Sequence, residues 1–195
     1  RADGSIIRNN IVGLSEYGAA AGNAWGIKVE SNAQGTIIGG LGANEGNVVA
    51  WSSQSGIQVS ESDNSLILGN YIGTDATGTQ ARPNQTGLDI SDSYNVNVQN
   101  NVISGNDING IDLYDSNGLT LFGNIIGMDA SATNPLPNNN DGISSASLAT
   151  NMTIGGLGVE NTIAHNTNNG ISLDKSSDVG NEILNNSIFC NGKGI

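Results

Sequence analysis

The chain has few charged residues, few prolines and an excess of acid over base. Charged residues make up 12% of its 195 residues, and 6 Lys and Arg stand against 18 Asp and Glu. The resulting net charge of −12 argues against nucleic-acid binding, which needs a basic surface, and it disfavours contact with anionic membranes. Disordered chains are typically rich in charge and proline, whereas this one contains only 3 Pro. We therefore expect a folded protein that does not bind nucleic acid.

Cysteine and long hydrophobic runs are equally scarce. The single cysteine, Cys190, has no partner for an internal disulfide. No apolar stretch is long enough for a membrane span or resembles a signal peptide, so we expect no membrane insertion. The chain starts at "RADGSIIRNN", which already belongs to a repeat unit, and this predicts a fragment of a longer protein.

Asparagine and glycine are abundant, with 30 Asn and 28 Gly, and they recur in a fixed pattern. Asn followed two residues later by an aliphatic residue alternates along the whole chain with Gly followed directly by an aliphatic residue. The first anchor gives Asn10, Asn47, Asn70, Asn101, Asn124, Asn161 and Asn186, and the second gives Gly26, Gly56, Gly87, Gly110, Gly142, Gly170 and Gly194. Such internal repetition is typical of solenoid proteins.

Each repeat contains three short apolar stretches in which every second residue is apolar. Ile27 and Val29 flank Lys28, and Ile111 and Leu113 flank Asp112. This alternation predicts strands with one buried face, and no segment has the 3.6-residue period of a helix. We predict an all-β fold, a right-handed parallel β-helix of about six to seven turns with three short strands per turn, as one domain over 1–195. Stacked Asn side chains would hydrogen-bond from turn to turn. A second polar row, predicted at the bends, contains Asn32, Asn64, Asn95, Asn117, Asn151 and Asp178.

The repeats resemble a known family. The phrase "GNYIGTDATGT", which starts at Gly69, and the phrase "NVISGN", which starts at Asn101, resemble repeat modules of bacterial surface and secreted proteins. The pattern over essentially the whole chain resembles the pectate-lyase-like superfamily of parallel β-helices. That resemblance implies a bacterial extracellular or cell-surface location. It leaves activity open, because the architecture hosts lyases, hydrolases, epimerases, adhesins and phage spikes.

Long and short connections alternate between the two anchors. The distance from the Asn anchor to the Gly anchor is 16, 17 and 18 residues in turns one, three and five, and 8 or 9 residues elsewhere, as in Asn10 to Gly26 against Asn47 to Gly56. Insertions at one register project from one edge of a solenoid, so the long loops should form a wall beside a flat sheet. Such a groove suits an extended polysaccharide. We predict ligand binding by Tyr17, Trp25 and Arg82, and the alternative is that these side chains pack the loops onto the rod.

Several carboxylates are candidates for chemistry. Asp89 and Asp112 occupy the same outward position on neighbouring turns, about 4.8 Å apart at the backbone. Paired carboxylates serve as acid and base in glycoside hydrolysis, and they could equally bind calcium, but an exposed polar sheet face has the same pattern. A further hypothesis is calcium binding by the loop residues Asp75, Asp129 and Asp141, because calcium prefers oxygen ligands. For Asp75 and Asp129 the alternative is acceptance of hydrogen bonds from loop amides.

His165 and Cys190 lie four residues after successive Asn anchors, so they should stack on adjacent turns. A thiol beside an imidazole could act as a nucleophile pair or as half of a metal site, but the rest of the row is mixed, which favours packing. The Lys or Arg base of the family's lyases has no counterpart here, because the six basic residues lie in different registers. The adjacent Asp pairs and Gly-His-Gly of its hydrolases are also missing, since His165 stands in "AHNTNNG".

The favoured functional interpretation is an extracellular display module whose loops bind a polysaccharide or surface glycan. The first alternative is a polysaccharide-active enzyme that uses Asp89 and Asp112. The second alternative is a filament subunit that associates end to end. Calcium is the cofactor that these residues suggest.

Overall fold

A computed structural model describes residues 3–173 and 178–195 and shows a parallel β-helix. Within these residues, twenty strands form three parallel sheets, here named A, B and C. Sheet A contains β1 (Ile6–Ile7), β4 (Ile37–Gly39), β7 (Leu66–Leu68), β10 (Asn97–Gln99), β13 (Thr120–Phe122), β16 (Thr153–Ile154) and β19 (Glu182–Ile183). Sheet B contains β2 (Ile11–Val12), β5 (Val48–Val49), β8 (Tyr71–Ile72), β11 (Val102–Ile103), β14 (Ile125–Ile126), β17 (Thr162–Ala164) and β20 (Ser187–Phe189). Sheet C contains β3 (Ile27–Val29), β6 (Ser55–Ser60), β9 (Thr86–Ser91), β12 (Ile111–Tyr114), β15 (Ile143–Ser147) and β18 (Ile171–Leu173).

Each turn takes one strand from each sheet, and each strand pairs with its equivalent in the next turn. The described residues form six turns of three strands and two strands of a seventh. The register follows the sequence anchors, as in the pairing of Ile27 with Ile57 and of Asp89 with Asp112. The predicted fold class, number of turns and number of strands per turn are confirmed.

Alternating aliphatic residues fill the interior of the rod. Equivalent residues of successive turns form a row, here called a rank, with the strand spacing of about 4.8 Å, and the side chains of each inward rank meet those of the other two sheets. Most are fully buried, including Ile67 from sheet A, Ile103 from sheet B and Ile111 from sheet C. The hydrophobic effect of this continuous core is what offsets the entropy of ordering so many short strands.

The asparagine ladder predicted from the first anchor is present along the whole rod. Asn10, Asn47, Asn70, Asn101, Asn124, Asn161 and Asn186 form it, and each of the first six donates through Nδ2 to Oδ1 of the next, over 2.8–3.0 Å. Each Oδ1 from Asn47 onward also accepts the backbone N–H of the Asn in the preceding turn. The ladder therefore satisfies backbone donors at the bend between sheets A and B that would otherwise be buried without a partner.

A second ladder at the bend before sheet C was not foreseen. Asn84, Asn106, Asn138, Asn166 and Asn191 are linked by Nδ2 to Oδ1 hydrogen bonds of 2.9–3.2 Å. The backbone N–H of Ser52 continues it by donating to Asn84 Oδ1. Much of the Asn content is thus scaffold.

The second polar row predicted at the bends is correct for only half of its members. Asn64, Asn95 and Asn151 have left-handed φ values of 57°, 55° and 51° and stack in one rank through backbone hydrogen bonds. The other turns place glycine in that rank, namely Gly4, Gly35, Gly118 and Gly180. Asn32, Asn117 and Asp178 are out of register with it, since each precedes one of these glycines by one to three residues.

A different glycine marks the start of each long connection. Gly13, Gly73 and Gly127 follow sheet B with φ values of 84–87°. In the short connections the left-handed residue comes one position later, as in Trp51 with φ 56° and His165 with φ 62°. In the long connections the left-handed residue thus comes one position earlier, and it turns the chain away from the rod. A Cβ atom on Gly127 would lie 2.0 Å from the carbonyl oxygen of Ala164, so this turn requires glycine.

Candidate functional site

The outer face of sheet C carries two adjacent ranks of polar side chains. The first rank follows the centres of the strands and contains Lys28, Gln58, Asp89, Asp112, Ser144 and Ser172. The second rank precedes the Gly anchors and contains Trp25, Ser55, Thr86, Asn109, Asp141, Asn169 and Lys193. We call these two ranks the polar face. Sheets A and B differ, because their outward positions include Ile6 and Leu66 in sheet A and Ile11 and Tyr71 in sheet B.

Asp89 and Asp112 lie side by side in the middle of the polar face, as predicted. Asp89 Oδ2 accepts hydrogen bonds from Gln58 Nε2 at 2.9 Å and from Ser55 Oγ at 3.5 Å. Asp112 accepts from Asn109 Nδ2 at 2.6 Å and from Thr86 Oγ1 at 3.2 Å. Each carboxylate is thus held by two neighbours, which for Asp89 both come from the preceding turn and for Asp112 come one from its own turn and one from the preceding turn.

Burial raises the pKa of both carboxyl groups. For Asp89 the hydrogen bonds from Gln58 and Ser55 oppose this rise without cancelling it. For Asp112 the bonds from Asn109 and Thr86 oppose it, and repulsion from Asp89 and Asp141 adds to it. A raised pKa is what a general acid needs, although a partly buried structural carboxylate shows it too.

Asp141 belongs to the polar face and not to the hairpin wall. It is buried, and its Oδ1 accepts two hydrogen bonds of 2.8 Å from the backbone N–H and Nδ2 of Asn169 in the next turn. Its backbone N–H donates to Asn109 Oδ1 at 2.9 Å. Three carboxylates on three successive turns therefore make the centre of this face negative.

Trp25 stands at the first turn of the same face. The Lys28 ammonium lies 4.6 Å from the centroid of the Trp25 ring, within the range of a cation–π contact, and 2.6 Å from Glu30 Oε2. The positive charge of Lys28 is thus engaged locally and does not neutralise the acidic centre of the face.

The three long connections fold as hairpins, which we number 1 (14–20), 2 (74–81) and 3 (128–135). An antiparallel bridge closes each of them. Hairpins 2 and 3 contact each other, because Ala130 N donates to the Gly78 carbonyl oxygen at 2.9 Å. The predicted wall of loops on one side of the rod is therefore present.

Asp75 and Asp129 occupy equivalent places in hairpins 2 and 3. Asp75 Oδ1 accepts from Thr79 N at 3.0 Å and from Thr77 Oγ1 at 2.9 Å. Asp129 Oδ1 accepts from Thr133 N at 3.1 Å and from Ser131 Oγ at 2.7 Å. Ser15 Oγ has the same role in hairpin 1, so these carboxylates organise their own turns.

These hydrogen bonds lower the pKa of both loop carboxyl groups. For Asp75 burial raises the pKa, but the bonds from Thr79, Thr77 and Gln80, with the charge of Arg82, outweigh burial. For Asp129 the bonds from the Asn134 and Ser131 side chains lower the pKa most. Both groups are thus ionised at neutral pH and keep their turns closed.

The predicted calcium ligands lie apart from one another. Asp75, Asp129 and Asp141 belong to hairpin 2, hairpin 3 and the polar face. Over residues 3–173 and 178–195, no group of three or more His, Cys, Asp or Glu side chains is placed to hold a metal ion. Calcium binding by Asp75, Asp129 or Asp141 stays a prediction.

The predicted ligand-binding residues do not form one site. Tyr17, with 88% of its surface exposed, and Arg82 line a cavity of about 290 Å³ between hairpins 1 and 2, whereas Trp25 lies on the polar face. Arg82 donates to Gln80 Oε1 and to the Ala81 carbonyl oxygen. The hairpin wall thus separates two surfaces, one along sheet C and one along sheet B.

His165 and Cys190 stack on adjacent turns, as the anchors predict. His165 N donates to the Phe189 carbonyl oxygen, and its ring contacts the Phe189 ring edge to face, with the centroids 5.8 Å apart. The sulfur of Cys190 is free and its residue is exposed.

No helix in the described residues is long and apolar enough to cross a membrane. No protein-family model matches the chain, and no curated protein matches it in sequence. Among solved structures it is similar to the periplasmic alginate epimerase AlgG, with a TM-score of 0.55 and 20% identity over 97% of this chain. The T265N and D317A mutants of AlgG each give a TM-score of 0.59 and 21% identity over 98% of this chain. The chain spans 42–44% of the length of these AlgG structures, and the similarity shows a shared parallel β-helix fold.

Proposed function

We propose that this chain is an extracytoplasmic β-helix that binds an extended polysaccharide along its polar face, beside the hairpin wall. The observation that carries the proposal is the polar face itself, whose central rank keeps hydrogen-bonding side chains partly exposed on five successive turns, from Lys28 to Ser144. A polysaccharide presents hydroxyl groups at regular intervals along its length. A rigid rank of donors and acceptors about 4.8 Å apart suits such a ligand, because its side chains are already ordered before binding.

The charge of the polar face favours a neutral polysaccharide. Asp89, Asp112 and Asp141 occupy its centre, and Lys28 is paired with Glu30. A polyuronate would meet repulsion there unless a cation bridged the carboxylates. The fold similarity to an alginate epimerase therefore does not extend, in this proposal, to alginate as the ligand.

Trp25 and the neighbouring amides have distinct parts in binding. The Trp25 ring offers a flat apolar surface at one end of the face, on which a sugar ring can stack. Gln58 can donate to and accept from sugar hydroxyls with the part of its amide that Asp89 leaves free, whereas the buried amide of Asn109 already has partners at both Nδ2 and Oδ1. The carboxylates fix the amide orientations through the 2.6 Å and 2.9 Å bonds.

The experiment is retention of the chain on immobilised neutral polysaccharides, such as xylan, galactomannan and β-glucan, compared with alginate. We expect retention on at least one neutral polymer, weakened about tenfold by Trp25→Ala, since aromatic stacking and its buried area contribute about 1.5 kcal/mol. Thr153→Ala, on the outer face of sheet A, is the matched control and should leave retention unchanged. Retention on alginate alone, or equal retention of the Trp25 variant, would contradict the proposal.

Hydrolysis or lysis by the Asp89–Asp112 pair is the second candidate function, favoured by the raised pKa of both groups. It predicts that soluble oligosaccharides accumulate from a bound polymer. Both Asp89→Asn and Asp112→Asn should then abolish release while retention persists, because Asn keeps the shape of the side chain but cannot transfer the proton. Retention without released product would leave binding as the function.

A further inference from the structure

A second cavity, of about 520 Å³, lies on the outer face of sheet B and is separate from the polar face. Its floor is formed by Ile11, Val48 and Tyr71, which stack on the first three turns. Val48 is buried and Tyr71 is half-buried, so the Tyr71 ring leaves part of its apolar surface at the base of the cavity. A partly exposed aromatic ring at the base of a cavity of this size is typical of a ligand site.

A fixed rim surrounds this floor. Residues 40–46 form one side, and Ala76 of hairpin 2 lies on the other. Glu45 holds the rim, since its Oε2 accepts from Gly42 N at 2.9 Å and its Oε1 accepts from Arg8 Nη1 at 3.0 Å. Arg8 Nε also donates to the Gly39 carbonyl oxygen at 3.0 Å. The two charged side chains are engaged with each other and with the rim, and neither lines the cavity.

Uncommitted amides surround the cavity. Asn9, Asn44 and Asn100 line it, have exposed side chains, and make no side-chain hydrogen bond to another described residue. All three have left-handed backbones, with φ values of 55°, 60° and 55°. Each amide offers donors and an acceptor, which is the combination that a sugar hydroxyl requires.

Charge is absent from the lining. None of the described residues that line the cavity is Asp, Glu, Lys, Arg or His. A charged ligand would lose hydration there without gaining an ion pair, so the cavity selects against it. A neutral ligand with one apolar face and several hydroxyl groups fits both the aliphatic floor and the amide rim.

We propose that this cavity binds a neutral saccharide about two sugar residues long, as a site independent of the polar face, since Asn9 and Asn100 lie three turns or about 14 Å apart. The C–H face of the sugar packs on Ile11 and Tyr71, and its hydroxyls bond to Asn9, Asn44 and Asn100. The cavity volume lies within the range of about 300–1,000 Å³ that holds small ligands in proteins. The Arg8–Glu45 pair acts as a positioning element, because it holds residues 40–46 over the floor.

The test is an NMR titration of the ¹⁵N-labelled chain with the neutral disaccharides cellobiose, maltose, lactose and N,N′-diacetylchitobiose, and with digalacturonate as the charged comparison. We expect at least one neutral disaccharide to bind with a Kd of about 1 mM and to shift the amide signals of Ile11 and Tyr71. Asn44→Gly should weaken this binding about fivefold, since one hydrogen-bonding side chain is lost. Glycine suits the left-handed backbone of position 44, so the variant should stay folded.

Two controls separate this site from general effects and from the polar face. Asn185→Gly makes the same change at another exposed left-handed Asn, on the last turn, and should leave the affinity unchanged. Trp25→Ala alters the polar face and should leave disaccharide binding in the cavity unchanged. The proposal is overturned if no neutral disaccharide shifts these signals at about 20 mM, if digalacturonate binds as tightly, or if Asn44→Gly and Asn185→Gly behave alike.

Discussion

Truncation of one rung of the first asparagine ladder should cost far more in the middle of the rod than at its first turn. The side chain of Asn101 makes five hydrogen bonds, as the acceptor from Asn70 N and Nδ2 and as the donor to the Ile67 and Gln99 carbonyl oxygens and to Asn124 Oδ1. Asn101→Ala removes all of them and leaves the buried N–H of Asn70 without an acceptor. A buried orphan costs about 2 kcal/mol and the lost bonds together cost about as much, so the free energy of unfolding should fall by about 4 kcal/mol.

Asn10 is the matched comparison, because it is the same residue type at the same register of the first described turn. Its exposed side chain only donates, to the Arg8 carbonyl oxygen and to Asn47 Oδ1. Asn10→Ala should therefore lower the free energy of unfolding by about 0.5–1 kcal/mol. Urea unfolding of the two variants, followed by circular dichroism and by tryptophan fluorescence, gives both values. Similar losses for the two variants would refute the reasoning that the ladder acts by satisfying buried backbone donors.

Three further predictions concern the turns and the acidic face. Gly127→Ala should lower the free energy of unfolding by at least about 3 kcal/mol, because its Cβ would clash with Ala164 of turn six. Gly18→Ala should lower it by only about 1 kcal/mol, from left-handed strain, because a Cβ there meets nothing within 4 Å. Similar losses for the two variants in thermal unfolding would contradict the clash. Ala132→Gly should raise the free energy of unfolding by about 0.5 kcal/mol, because Ala132 has φ 54°, and calorimetry that shows no gain would refute the strain. The raised pKa of Asp112 means that its contribution to stability is present below pH 3.8 and is lost as the pH rises through the folded pKa. Asp112→Asn should therefore be more stable than the parent at neutral pH, and parallel stability curves from acid to neutral pH would exclude Asp112 as the cause.

The architecture could be predicted from the sequence because two signals repeat with every turn. The period of two in the apolar residues defines the strands, and the Asn and Gly anchors define which strands pair. The second ladder was missed because its members are unevenly spaced, with Asn84 three residues before Gly87 but Asn106 four residues before Gly110. The extra residue is absorbed at the bend, and only an alignment on the Gly anchors that allows a one-residue gap at this bend exposes the row.

The candidate site was less predictable because each long connection contributes residues both to the polar face and to the surface along sheet B. Trp25 and Asp141 were grouped with Tyr17 and Arg82 since all four lie between an Asn anchor and a Gly anchor. The hairpins close earlier than those loops end, and the strict alternation of sheet C is interrupted at each Gly anchor. The Gly faces the core, as at Gly87, where an added Cβ would meet Ile103, so the side chain before it points outward. Asp141 therefore stands beside Asp112, while Tyr17 faces the sheet B side. The cavity of sheet B left no sequence signal, because its amides come from separate turns and also serve as left-handed corner residues.

Because the chain turns outward at Gly13, Gly73 and Gly127, the strand register of the rod does not depend on how long each loop is. The chain leaves the coil at one glycine and rejoins it at the second ladder, so a connection of 16 residues and one of 9 span the same gap between Asn and Gly anchors. The entropy of closing a longer loop grows only slowly with its length. A hairpin can thus be exchanged between these two points while the ladders and the apolar ranks stay unchanged. The rod therefore serves as a constant scaffold. Each hairpin that contributes to the ligand-facing surface can be replaced separately, without any change in strand pairing or core packing.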